Sequence, residues 1–136
     1  MMTAPDATLW AAQTEGRSVM PGDDSLIAVP SGQAVSLQEI IIDTPPLGAP
    51  VYRFRYLAPA IARSGGAMTF ESSIPDFQHL CERDAVPRLP APTPEAVQIF
   101  ISLADIYVPI GTTNTDAKQF FVAFSLTDGL CMVDTY

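Results

Sequence analysis

Hydrophobic and polar residues alternate most regularly over residues 51–60 (V-Y-R-F-R-Y-L-A-P-A). Tyr52, Phe54, Tyr56 and Ala58 take one side, and Val51, Arg53, Arg55 and Leu57 take the other. A period of two is that of a β-strand with one face in a core, and the aromatic content suits a sheet. Upstream, residues 25–29 read as a short strand and residues 34–44 as a longer one. In the longer run Val35 and Leu37 share one parity, while Ile40 and Ile42 share the other, so a bulge is expected near Gln38 and Glu39. The proline-rich segment 45–50 forbids continued regular structure and makes a hairpin-type connection into the alternating strand.

Downstream, residues 67–71 read as another short strand, and the pattern then changes to helical spacing. Ser73 reads as the N-cap, with Pro75 in the first turn and Asp76 three residues after the cap. Ile74, Phe77, Leu80, Cys81 and Ala85 form an apolar face; Asp76, His79, Glu82 and Arg83 take the other, and Pro87 ends the helix. Residues 95–103 make a strand with Val97, Ile99, Ile101 and Leu103 on one face and Phe100 on the other, as expected of a central strand covered on both sides. Residues 119–127 carry Phe120, Val122, Phe124 and Leu126 on one face, Asp128-Gly129 is a type I′ turn, and residues 130–136 return. Residues 1–24 read as a flexible or extended arm whose apolar spot is Leu9 and Trp10, and residues 25–136 as one domain. Runs of strands bracketing a single helix predict an α+β fold: a mostly antiparallel sheet of five to seven strands with one main helix packed on one face.

This pattern constrains the two cysteines. A two-residue turn at Asp128-Gly129 pairs Thr127 with Leu130, Leu126 with Cys131 and Phe124 with Val133. Directly paired residues share a face, so Cys131 joins the apolar face of the hairpin, and Cys81 lies on the apolar face of the helix. Both point into one layer, and a Cys81–Cys131 disulfide is expected; two buried free thiols are the alternative.

Composition narrows the function classes. Thirteen prolines cut the 136 residues into short elements and argue against a helical bundle. A net charge of −8 opposes binding to nucleic acid or to anionic lipid. No apolar run reaches the roughly 20 residues of a membrane-spanning helix. The first residues show no basic stretch ahead of an apolar one, so no signal peptide is visible; the chain is then cytoplasmic or has lost a leader, and a disulfide favours the second.

Candidate chemistry is sparse. One histidine and two distant cysteines give no metal-ligand spacing, and no phosphate loop or nucleophile elbow occurs. No cofactor, no metal and no catalytic residue are therefore expected. His79 falls on the polar helix face, and Asp105 follows an apolar strand as a turn-starting aspartate does. Arg53 and Arg55 share one strand face and together suit a carboxylate or phosphate. Pairing with a carboxylate is the alternative, since a hairpin through residues 44–50 brings Glu39 near Arg55.

The segment R-F-R-Y-L-A-P-A-I-A-R-S-G-G (53–66) resembles a hallmark of a small bacterial family of exported, periplasmic-type proteins. V-P-S-G-Q-A-V (29–35), I-S-L-A-D-I-Y-V-P-I-G (101–111) and Q-F-F-V-A-F with its following cysteine (119–131) look similar as well. The resemblance implies a single-domain protein, periplasmic or secreted, with both cysteines retained and no established activity. An acetolactate synthase label attached to some members does not suit this chain, which lacks the G-D-G…N diphosphate motif. Two functions are carried forward. One is a non-enzymatic exported domain that binds a protein partner, with Trp10 as an interface anchor. The other is a small anionic-ligand binder or weak enzyme using the Arg53/Arg55 face with Asp105 or His79.

Overall fold

A computed structural model describes residues 16–62, 65–90 and 97–135. Six strands form one sheet in the order of the chain: β1 (Arg17–Pro21), β2 (Ser36–Asp43), β3 (Val51–Leu57), β4 (Gln98–Ala104), β5 (Gln119–Thr127) and β6 (Leu130–Thr135). All neighbours are antiparallel except β3 and β4, which run parallel because the helical segment crosses between them. The expected α+β class, strand count and single main helix are all present.

The alternating strand is β3. Tyr52, Phe54 and Tyr56 are buried, while Val51, Arg53, Arg55 and Leu57 are half-buried on the opposite face. The parity slip in β2 is resolved by a register shift between Leu37 and Glu39, at the position its sequence indicates. β1 falls inside the segment expected as an extended lead-in, and it pairs with β2 from Arg17↔Asp43 to Pro21↔Glu39. Trp10 lies outside the described residues. Residues 25–29 do not form a full strand: they make a single bridge, Leu26↔Ser36, and one bond from Ile27 N–H to the Val35 carbonyl. Asp24, at φ 60°, and Pro30 break the run on both sides.

Helix α1 (Phe70–His79) starts earlier than its sequence suggests, so residues 67–71 are not a strand. Thr69, not Ser73, is the cap. Its hydroxyl accepts from Ser72 N–H at 3.1 Å, and its own N–H donates to Ser72 Oγ at 2.8 Å. Ser73 already lies in the first turn and donates to the Thr69 carbonyl. A π-helical segment (Leu80–Ala85) and a closing turn (Val86–Arg88) carry the helix past Pro87. A proline ring collides with the carbonyl four residues before it in a regular helix. Here the preceding coil is widened, with Val86 N–H reaching back to Cys81 O, and the helix continues to Arg88. Asp76 is buried rather than solvated: Ser31 N–H, Ser31 Oγ and Gln33 Nε2 donate to its carboxylate at 2.6–2.9 Å.

The core lies between the helix and one sheet face. Phe77, Leu80, Cys81 and Ala85 pack with Phe54 and Tyr56, with Ile99, Ile101 and Leu103, and with Val122, Phe124 and Leu126. Cys81 and Cys131 are joined, with Cα atoms 6.3 Å apart. The hairpin register is Thr127↔Leu130, Leu126↔Cys131 and Phe124↔Val133, and both turn residues have positive φ, as a type I′ turn requires. Beside the disulfide, Gln78 Nε2 donates to the Cys131 carbonyl at 2.8 Å, and Cys131 N–H donates to Glu82 Oε2 at 3.1 Å.

Candidate functional site

The sheet face away from the helix carries the site. Register fixes its rows: Ile41 lies opposite Arg53, Arg53 opposite Phe100, and Phe100 opposite Ala123. In the next row Glu39 faces Arg55, Arg55 faces Ser102, and Ser102 faces Phe121. Strand parity alone therefore places both arginines, two phenylalanines and a serine on one surface.

A loop turns this surface into a groove. After β4, Asp105 N–H donates to the Lys118 carbonyl at 3.1 Å, and Lys118 N–H returns to Asp105 Oδ1 at 2.7 Å. That neck closes an apolar loop (I-Y-V-P-I-G at 106–111) which folds back over the sheet. Its hold is Arg55, which is ion-paired with Glu39, donates to the Val108 carbonyl at 2.5 Å and lies over the Tyr107 ring. The Tyr107 hydroxyl donates to Glu39 Oε1 at 3.2 Å. Burial, with Glu39 nearby, raises the Tyr107 hydroxyl above its ordinary pKa. The resulting groove has a volume of about 430 Å³; its floor includes Ile41, Phe100 and Ser102, and its walls include Phe121 and residues 108–112.

The two arginines do different work. Arg55 has its terminal nitrogens engaged, and its side chain is 16% exposed. The Arg53 side chain is 40% exposed and, among the described residues, makes one hydrogen bond, from Nε to Asp43 Oδ2 at 3.1 Å, while its guanidinium lies 4.6 Å from the centre of the Phe100 ring. Asp43 is shared: Arg17 also donates to it, from Nε at 2.6 Å and Nη2 at 3.1 Å. Those bonds, Arg17's foremost, hold the Asp43 carboxyl below the usual carboxylate range. The three arginines Arg17, Arg53 and Arg55 thus gather at the Asp43 and Glu39 end of this face on a chain of net charge −8.

The structure thus brings Arg53 and Arg55 together in a groove and gives each a carboxylate partner. It does not bring in the other candidates: Asp105 closes the loop neck, and His79 belongs to the helix on the opposite side of the sheet. Phe121, Tyr107 and the covering loop are site residues that pattern reasoning missed. The available signal was the apolar run I-Y-V-P-I-G at 106–111, placed in the connection that follows β4. Among the described residues no group of three or more metal-ligating side chains comes together, and no helix is long and apolar enough to cross a membrane. No curated protein and no solved structure matches the chain. Residues 5–136 match the family described as "Family of unknown function (DUF6497)", and the chain belongs to that family.

Proposed function

We propose that this chain is a non-enzymatic binding domain that works outside the cytoplasm and holds a small anionic ligand on Arg53 in the open-face groove. The observation that carries the reading is the state of Arg53: it lines the groove, and its Nη atoms have no protein acceptor among the described residues. Small-molecule sites are concave, largely apolar and furnished with a few directed polar groups, and the groove has that composition. Its lining offers arginines, the Ser102 and Thr112 hydroxyls and the Gln119 amide, a set made for holding rather than for proton transfer. An oxidising location, periplasmic or secreted, is supported by the Cys81–Cys131 bridge and by the sequence resemblance.

The test is an NMR titration of the full chain with sodium acetate and inorganic phosphate, following the Arg53 Nε–Hε resonance. An anion should shift that resonance, and Arg53→Met should abolish binding. Equal binding by the variant would defeat the proposal. Partner binding through Trp10 remains a separate proposal resting on composition; a deletion testing it should end at residue 15, because Arg17–Pro21 is part of the sheet.

A further inference from the structure

We infer that the groove selects an aromatic monocarboxylate, its carboxylate held by the two Nη atoms of Arg53 and its ring lying along Phe100 and Phe121; this rests on the binding reading above and names its ligand class.

A guanidinium offers a carboxylate two docking edges, one through Nε and one Nη, the other through both Nη atoms. Asp43 takes Nε of Arg53, which leaves the end-on edge. Asp43 does not cancel the charge of Arg53, because the same carboxylate also accepts two bonds from Arg17. The Phe100 ring, 4.6 Å from Arg53 Cζ, supports the guanidinium plane, so the group is already in place before a ligand arrives. One face of the site is thus a fixed, end-on anion fork.

The rest of the groove is not built for a hydrated inorganic ion. Phe100 and Phe121 lie with ring centres 6.2 Å apart and planes tilted by 30°, and Phe121 is 46% exposed. Ile41 closes the floor and Ile110 stands on the loop above, itself 37% exposed. Phosphate on Arg53 would leave these carbons in water, whereas an attached ring would cover them. A ring that buries on the order of 80 Å² of apolar surface gains about 30-fold in affinity over the bare carboxylate. Ring against ring adds about threefold over a saturated chain of the same area. The groove volume of about 430 Å³ accommodates a one-ring or two-ring acid.

The test is calorimetric and NMR titration of the disulfide-intact full chain with acetate, inorganic phosphate, hexanoate, 3-phenylpropionate and 3-phenylpropionamide. We expect 3-phenylpropionate to bind about 30-fold more tightly than acetate and about threefold more tightly than hexanoate, with the amide lost with the charge. Phe121→Ala should lower 3-phenylpropionate affinity about tenfold and leave acetate unchanged. Arg53→Met should remove both, and thermal melts confirm that each variant is folded. If acetate or phosphate shifts the Arg53 Nε–Hε resonance and 3-phenylpropionate binds no tighter, the aromatic-acid inference is overturned while the binding reading stands. Hexanoate equal to 3-phenylpropionate likewise overturns the preference for a ring. If no probe binds in an Arg53-dependent way, both fall.

Discussion

Arg53 and Arg55 are the same residue two positions apart on the same face, yet their removal should have unlike consequences for stability. Arg55 joins β2 to the loop: it pairs with Glu39, bonds the Val108 carbonyl and lies over Tyr107. Glu39 is 8% exposed. With Arg55→Met, that carboxylate keeps the Tyr107 hydroxyl as a partner but loses its counter-charge. Stranding a buried charge costs 3–5 kcal/mol; the residual hydroxyl bond and exposure place this case at the lower end, about 3 kcal/mol. For a chain of this size that lowers Tm by about 10 °C. Arg53→Met removes a half-exposed partner whose carboxylate still has Arg17, and should cost less than about 1 kcal/mol. Urea unfolding at pH 7 with the disulfide intact measures both. Adding Glu39→Met to the Arg55 variant should recover most of the loss, because the orphaned charge goes with it. A cost below about 1 kcal/mol for Arg55→Met, or no recovery in the double variant, would refute the assignment of Arg55 as the loop's anchor.

Three further outcomes are expected. Reducing Cys81–Cys131, or replacing both with alanine, should lower stability by about 4 kcal/mol in the chain-entropy model for a separation of 50 residues, and denatured, unreduced protein should show no free thiol. Tyr56 is buried and hydrogen-bonded to Asp84 at 2.8 Å, and burial foremost raises its hydroxyl well above the ordinary 10.0. Its contribution is complete below pH 10 and declines as pH rises above it, so alkaline absorbance titration should show Tyr56 ionising last among the four tyrosines, together with unfolding. Asp43 has the opposite sign: its lowered pKa stabilises the fold at neutral pH and that contribution disappears as pH falls below about 4. Asp43→Asn should therefore be less stable than the native chain at pH 7, and the gap in Tm should close on acidification.

Residues governed by local rules were legible in advance. The period-2 face of β3, the β2 bulge, the type I′ turn and the hairpin register all follow from side-chain parity, and the disulfide follows from combining that register with the helix face. Long-range docking was not legible. Asp76 looks like a solvated helix residue until the turn at Ser31–Gln33 supplies three donors from more than forty residues away. Helix ends were misplaced because Thr69 and Ser73 are both plausible caps and only the folded backbone chooses between them. For the site, sequence placed the two arginines on one face and brought Glu39 to Arg55, but it could not say that a loop some fifty residues later would bind one arginine and leave the other open.

The clamp between helix and β6 has a consequence for self-association. In a two-residue hairpin Thr127 and Leu130 face each other as the bonded pair, so the backbone groups of Cys131 point outward, where another strand could add. Gln78 and Glu82 occupy both of those groups. Leu130, Met132 and Val133 are all exposed along the same strand, so an uncapped edge would be adhesive. The helix therefore acts as an end-stop on the sheet, and the disulfide keeps the stop in position. In a reducing milieu core packing of Phe77 and Leu80 and the two hydrogen bonds would hold it without the covalent tie, and a helix end that lifted away would open this edge to strand addition.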